Sequence, residues 1–219
     1  MIIDTNHPKY FYKREGLTEG KYNGAYYYAK EIEDIIIPRI KTTRNWQTIN
    51  VEGECYDHSI VFIHSNIDLE EHYGWLKDYK DLVLVCSNHE TQKYMGKFGK
   101  AIFLPLSVDV SYVEQFKVEE KTQEACYAGN MWNFKKSDLA KYVPKDTHCF
   151  INLPREELLK QLAKYKKCYA IGRTAIEAKI LNCELGVCDS RYPDTSFWHI
   201  YDSKAAALIL QSLLDGIDK

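Results

Sequence analysis

The segment Tyr169-Ala-Ile-Gly-Arg-Thr-Ala-Ile-Glu-Ala-Lys-Ile-Leu-Asn-Cys-Glu-Leu-Gly-Val187 runs from a strand through a glycine turn into a helix and on to the next strand. The turn Gly172-Arg173-Thr174 can present backbone N–H groups, a guanidinium and a hydroxyl to a phosphate. Glu177 follows one helical turn later and can accept hydrogen bonds from a sugar. The segment therefore predicts a strand-turn-helix unit that binds a nucleotide diphosphate.

Strand and helix signals alternate in two stretches of the chain, which predicts parallel sheets and the α/β fold class. The first stretch contains the apolar runs Ser59–His64 and Asp81–Ser87, which are typical of strands buried on both faces. The second stretch has strand signals at Ala125–Gly129, Thr147–Ile151, Cys168–Ile171 and Gly186–Asp189, and the first has a further one at Ala101–Pro105. A polar segment, 114–124, is predicted to link an N-terminal lobe, 1–113, to a C-terminal lobe, 125–219.

Turn and cap signals place the helices between these strands. Ala25–Ile37 fits an amphipathic helix that ends before Pro38. Ser87 is predicted to cap the following helix, Asn88–Met95, in a capping box with Glu90. Further helices are predicted at Ser137–Tyr142, Arg155–Lys164 with Pro154 at its head, Thr174–Asn182 and Ala205–Leu214.

The charge balance and hydropathy pattern bound the class of protein. The chain has 219 residues, and 29 Lys and Arg against 31 Asp and Glu leave a formal net charge of -2, which offers no general attraction to nucleic acid. No apolar run approaches the length of a membrane span, and the segment Met1–Pro8 lacks the zones of a signal peptide. We therefore expect a cytoplasmic protein without a membrane span.

The cysteine and histidine patterns do not predict a metal site. The seven cysteines contain no Cys-x-x-Cys spacing, and no histidine accompanies the closest pair, Cys183 and Cys188. The seven histidines are dispersed, and Asp-x-Asp does not occur. Free, mostly buried thiols in a reducing compartment are expected, without a metal or a cofactor.

Polar residues that follow the predicted strands are the candidate functional residues. In open α/β sheets, ligands bind beyond the carboxyl ends of the strands. Four places in the sequence satisfy this condition, namely His64, Ser107–Asp109, Gly129–Lys135 and Gly172–Glu177.

These residues resemble the glycosyltransferases of the GT-B fold, in particular the retaining enzymes of family four. One stretch of the family pattern resembles Lys80–Ser87 together with the following Gly99–Asp109. A second part of the pattern is an acidic helix start, which is in register with Glu177-Ala178 and Gly186-Val187. A third part is a strand that ends in histidine, to which Ile60–Ser65 is similar. The resemblance implies two small Rossmann-type lobes with mostly parallel sheets and an inter-lobe cleft.

The resemblance also implies a donor site. Glu177 would hold the ribose hydroxyls of a nucleotide-sugar donor of the UDP or GDP type. Gly172, Arg173 and Thr174 would meet its diphosphate. Further contacts with the phosphates would come from Gly129, Asn23 and Gly24.

The catalytic residues implied by the resemblance are His64, Lys135 and Arg173. Lys135, for which Lys136 is an equal alternative, and Arg173 would neutralise the leaving diphosphate as the sugar gains oxocarbenium character. His64 would line the sugar pocket. The reaction would transfer a sugar to an unidentified acceptor with retention and without a metal.

Other functions stay open at this point. Tyr169 stands where the family pattern has its first glutamate, and Asn130 stands where it has an arginine. Both favour a non-catalytic protein that binds a nucleotide, a glycan or a partner protein. An epimerase or phosphorylase on the same fold, and a DNA glucosyltransferase, which the charge balance does not favour, are further alternatives. An oligomer, in which a partner chain completes the small first lobe, is also open.

Overall fold

The chain forms two compact units. The computed structural model describes residues 24–49, 55–64, 69–129, 139–151 and 153–218. The first unit contains Ala25–Leu106 and residues 203–218, and the second contains Ser107–Asp202.

The described residues form eight strands and eight α-helices, numbered in chain order. The strands are β1 (Asn45–Ile49), β2 (Ser59–Ile63), β3 (Leu82–Cys86), β4 (Lys100–Phe103), β5 (Gln123–Gly129), β6 (His148–Ile151), β7 (Tyr165–Tyr169) and β8 (Glu184–Gly186). The α-helices are α1 (Gly24–Glu31), α2 (Leu69–Tyr73), α3 (His89–Met95), α4 (Val110–Glu114), α5 (Leu139–Tyr142), α6 (Arg155–Leu162), α7 (Arg173–Ile180) and α8 (Ser203–Ile217).

The first unit is built on a parallel sheet in the order β1-β2-β3-β4. Every residue of β2 and β3 is buried, as expected of strands covered on both faces. Helices α1 and α8 cover one face, where their side chains pack against Ile60, Phe62, Val83 and Val85. The other face packs against residues from α2, α3 and the 3-10 turn between α2 and β3.

The C-terminal helix belongs to the first unit, so the division of the chain differs from the predicted lobes 1–113 and 125–219. Ala206, Leu210 and Leu214 recur at helical spacing and complete the core beside the first sheet. The buried Arg44 guanidinium fixes the end of this helix, because its Nη2 lies 2.7 Å from Asp218 Oδ1 and its Nη1 lies 3.1 Å from Asp81 Oδ1. The chain therefore leaves the first unit at Leu106 and returns to it at Ser203.

The second unit contains a parallel sheet in the order β6-β5-β7-β8. The connection from β5 to β6 moves one way along the sheet, and the connection from β6 to β7 moves back past β5. The direction therefore reverses at β5 and β7, which makes their junction the topological switch point of the sheet. Helices α6 and α7 pack against each other.

The structure confirms the α/β class and the two Rossmann-like parallel sheets. Strands β2, β3, β4 and β6 and helices α3 and α7 lie close to their predicted positions. Strand β7 begins at Tyr165, three residues before the start of the predicted strand Cys168–Ile171. The sequence did not indicate the earlier start, because the exposed Lys166 interrupts the apolar pattern. The strand β1 was not predicted, since its buried residues include the polar Gln47 and Thr48.

Two predicted helix ends are wrong in detail. Asn88, not Ser87, caps α3, and its Oδ1 accepts hydrogen bonds from the backbone N–H groups of Glu90 and Thr91. The helix that was expected to end before Pro38 changes form instead. It passes through a π-helical turn at Ile32–Ile36 into a 3-10 turn, Ile37–Arg39, which accommodates the proline near its start.

None of the helices in the described part of the chain combines the length and the apolar character that a membrane crossing requires.

The seven cysteines are free thiols, and six of them are buried, as expected from the sequence. Burial raises the pKa of the Cys55, Cys86 and Cys188 thiols to about 12. A thiol reacts as its thiolate, so these groups are inert in the folded chain.

We predict that a maleimide at about pH 8 modifies only Cys149 in the folded protein, because Cys149 is the exposed thiol. Mass spectrometry after a short exposure should find one label per chain, and all seven thiols should react in denaturant. A Cys149→Ser variant is the control and should acquire no rapid label. Rapid modification of any buried thiol in the native protein would contradict this expectation.

Candidate functional site

The carboxyl ends of β5 and β7 mark the candidate site. These strands are neighbours in the sheet and end at Gly129 and Tyr169. Ligands of open α/β sheets bind outside the carboxyl ends of the strands at a topological switch point. The topology of the second unit therefore directs attention to Gly129 and to the turn that follows Tyr169.

That turn is the entry to α7. Gly172 stands at the N-cap position with φ of 63° and ψ of -140°, a conformation that only glycine adopts without strain. Its carbonyl oxygen accepts hydrogen bonds from the backbone N–H groups of Ala175 and Ile176. The N-terminus of α7, with its partial positive charge, thus lies beside the carboxyl end of β7.

A buried cluster of three charged side chains, the Arg155–Glu177–Arg173 triad, lies at the start of α7. Glu177 Oε1 accepts hydrogen bonds from the Nε groups of both arginines, each at 2.9 Å. The exposed fractions of the side chains are 11% for Arg155, 7% for Arg173 and 3% for Glu177. The three side chains together carry a charge of +1.

Aromatic and capping contacts also hold Arg155. Its guanidinium carbon lies 4.9 Å from the centre of the Tyr112 ring, which is cation–π geometry. Tyr112 belongs to α4, and the Asp109 side chain caps that helix by accepting the backbone N–H of Tyr112 at 3.2 Å. Asp109, at a predicted strand-end position, therefore supports the triad through Tyr112 and Arg155.

Sequence reasoning did not find Arg155 as a site residue, although a signal was present. Arg155 and Arg173 are each the first residue of a helix. The positive end of the helix dipole disfavours a cation there. A pair of arginines at such positions points to a shared carboxylate or to an anion.

The structure brings part of the predicted donor site together. Gly172, Arg173, Thr174 and Glu177 all lie at the start of α7. Gly129 ends the neighbouring strand β5, and a Cβ placed there would lie 2.6 Å from the Tyr127 hydroxyl oxygen, so the position admits no side chain without rearrangement.

The remaining predicted residues lie elsewhere in the chain. His64 follows β2 in the first unit, where its ring lies 5.3 Å from that of Tyr28. Burial raises the pKa of Tyr28. Gly24 is the first residue of α1. Lys135, its alternative Lys136 and Asn23 lie outside the described residues.

Tyr169, at the position where the resemblance would place a glutamate, is a core residue. It is buried in a cluster with Tyr127 and Cys188. The carbon atoms of its ring lie directly over Gly186 on β8, where a Cβ would collide with them. The tyrosine therefore fills space in the sheet packing.

Asp189 follows β8 and forms a separate charged pair. Its carboxylate accepts hydrogen bonds from Arg191 Nε at 3.0 Å and Nη2 at 2.6 Å. The Arg191 guanidinium holds the pKa of this carboxyl below its usual range. Among the described residues, no group of three or more metal-ligating side chains is placed to hold a metal ion.

Comparison with protein-family models, with curated proteins and with solved structures found no match for the chain. The fold and the site define its class, an α/β protein with two four-stranded parallel sheets, one of which has a charged triad at the start of a helix beside its switch point.

We predict that Glu177→Ala lowers the free energy of unfolding by about 3–5 kcal/mol, because it leaves two buried guanidiniums without their common carboxylate. Denaturant unfolding measures the change. Glu184→Ala is the matched control, since Glu184 pairs with Lys167 on the surface with 72% of its side chain exposed. The control should lose less than about 1 kcal/mol. Equal losses in the two variants would contradict a stabilising role for the triad.

We predict that Gly172→Ala destabilises the protein by about 1–3 kcal/mol through backbone strain alone. An added Cβ would meet no atom within 4 Å, so steric collision does not contribute. Gly74→Ala is the control, because its Cβ would also meet nothing within 4 Å and its φ is not positive. The two variants should differ in denaturation midpoint, and coinciding midpoints would refute the strain at Gly172.

Proposed function

We propose that the protein is a glycosyltransferase of GT-B type, which transfers a sugar from a nucleotide diphosphate donor to an acceptor, with the donor diphosphate bound at the start of α7. The observation that carries the proposal is the position of Gly172 and Arg173. They stand at a helix N-terminus, beside the switch point of a parallel sheet. The resemblance of the sequence supplies the reaction type.

The backbone and side chains of the turn offer complementary contacts for a phosphate. The backbone N–H groups of the first turn of α7 point toward the N-terminal end of the helix. The Arg173 guanidinium adds a positive charge at that end, and Thr174, which is partly exposed, adds a hydroxyl. These groups would stabilise the negative charge of the leaving diphosphate as the glycosidic bond to the donor breaks.

The role that we propose for Glu177 differs from the ribose contact that the resemblance implies. Its carboxylate is buried between two guanidiniums, so a ribose could reach it only after a movement of the triad. We therefore assign to Glu177 the role of holding Arg155 and Arg173 in position. The ribose contact stays a prediction.

A non-catalytic nucleotide-binding protein is the second candidate. The core position of Tyr169 favours it, because the resemblance places a glutamate there. The phosphate contacts of the two candidates are the same, and only turnover separates them.

Nucleotide binding and transfer test the proposal. We expect UDP or GDP, or the corresponding sugars, to raise the melting temperature of the protein, because a ligand bound to the folded state stabilises it. Arg173→Ala should raise the Kd of that nucleotide by about 10- to 100-fold, since a charge-assisted hydrogen bond contributes about 1.5–3 kcal/mol. Lys160→Ala is the control, as Lys160 is exposed on α6 and pairs only within that helix in the described contacts.

The outcomes separate the candidates. A melting temperature that none of the UDP, GDP, CDP and ADP sugars raises would contradict both candidate functions. Binding with release of the nucleoside diphosphate from a sugar donor supports the transferase. Binding without hydrolysis or transfer, over a panel of sugar acceptors, would leave the binding protein as the function.

A further inference from the structure

We propose that the outer face of α8 binds the same face of a second copy of the chain, with the two helices antiparallel. This α8 face is formed by the exposed residues Lys204, Ala205, Leu208, Ile209, Ser212 and Asp215. The inference is independent of the proposed function, because α8 belongs to the first unit and the candidate site lies in the second.

Large apolar side chains are exposed at the middle of the α8 face. Leu208 is 71% exposed, more than any other large apolar residue in the described part of the chain, and its neighbour Ile209 is 41% exposed. The inner face of the same helix is already used, because Leu210 and Leu214 are buried in the core of the first unit. Adjacent apolar side chains that water covers are typical of a surface that binds a partner, since their burial is favourable.

The charges of the α8 face are self-complementary. Lys204 lies near the beginning of the helix and Asp215 near its end. Their separation in sequence is close to three helical turns, so both lie on one stripe with Leu208 between them. In a two-fold antiparallel pair, Lys204 of each copy lies opposite Asp215 of the other, whereas a parallel pair would oppose like charges. Charge complementarity therefore favours a second copy in the antiparallel direction.

Stability of the helix itself does not account for these charges. A cation near the start of a helix and an anion near its end are both unfavourable with the helix dipole. In α8 the first turn contains no acidic residue and the last turn no basic one, so nothing within those turns reverses the effect. The Asp215 carboxylate is also held at the surface, where its Oδ1 accepts a hydrogen bond from Gln211 Nε2 at 2.7 Å. An intermolecular contact gives this charge pattern a use.

The register set by the charges brings the apolar residues of the two copies together. The midpoint between positions 204 and 215 falls next to Ile209, so the two Leu208 side chains lie about 4.5 Å apart along the helix axis. Leu208 of one copy then lies at the level of Ser212 of the other. The short side chains of Ala205 and Ser212 allow the two helices to approach closely.

The size of the α8 face limits the strength of the pair. A helix of 15 residues is about 22 Å long. One face of such a helix buries less than the roughly 800 Å² per partner of a standard interface. We therefore expect a reversible dimer with a Kd on the order of 10 to 100 μM.

Sedimentation velocity over about 1 to 500 μM protein tests the inference. The wild-type chain should pass from monomer to dimer, and Leu208→Lys should raise the dimer Kd by about tenfold or more, because it places a charge at the centre of the contact. Val118→Lys is the matched control, since Val118 is also an exposed apolar residue but lies in the second unit, and its Kd should equal that of the wild type. A chain that stays monomeric throughout this range would leave the face to a different protein and overturn the inference. Wild-type dimerisation of Leu208→Lys would overturn it as well.

Charge reversal tests the antiparallel direction. Lys204→Asp and Asp215→Lys should each raise the dimer Kd by about three- to tenfold, because each puts like charges opposite one another, and the double variant should return close to the wild-type value. Both single replacements suit the helix dipole, so a weaker dimer would not reflect a weaker helix. Circular dichroism at about 1 μM confirms that the helix content is unchanged. Single variants that dimerise like the wild type, or a double variant weaker than either of them, would overturn the antiparallel pair.

Discussion

One carboxylate oxygen, Glu177 Oε1, organises the second unit of this protein. It joins Arg173, four residues earlier in the same helix, to Arg155 from the preceding helix. Without it, two buried positive charges would face each other at the positive ends of two helices, a combination that the burial of the side chains makes costly. The shared ion pair therefore fixes how α6 and α7 begin, and it positions the charged side chains of the candidate site.

The strand order explains why these helix starts come together. The chain passes from β5 outward to β6 and then back past β5 to β7, so that α6 and α7 are consecutive connections in one direction and pack against each other. Both begin at the carboxyl edge of a parallel sheet, where ligands of this fold class bind. Topology thus brings Arg155 and Arg173 near each other, and Glu177 makes their proximity stable.

Sequence reasoning succeeded where local chemistry decides the structure. The apolar runs of β2 and β3, and the glycine before α7, are readable because burial and backbone conformation act on those residues directly. It failed where a distant partner decides. The positions of Ala206 and Leu210 in the sequence do not indicate which sheet their helix covers. Arg155 has the sequence pattern of an ordinary helix residue, and only its contact with Glu177 in the structure identifies it as part of the site. The strand β1 was missed for the same reason, because its polar residues are buried by their neighbours.

The candidate site also shows a conflict between stability and the anion binding that we propose. Three uncharged side chains of similar volume in place of the triad would remove the cost of burying three charges. A turn with an ordinary φ before α7 would not need the left-handed backbone that Gly172 now adopts. The first change would also remove the guanidinium of Arg173, which the proposed function assigns to the diphosphate. The features that cost stability, two cations on one carboxylate and a glycine turn, are the same features that an anionic ligand would use. Their coincidence beside the switch point argues for a binding role more strongly than any one of them does alone.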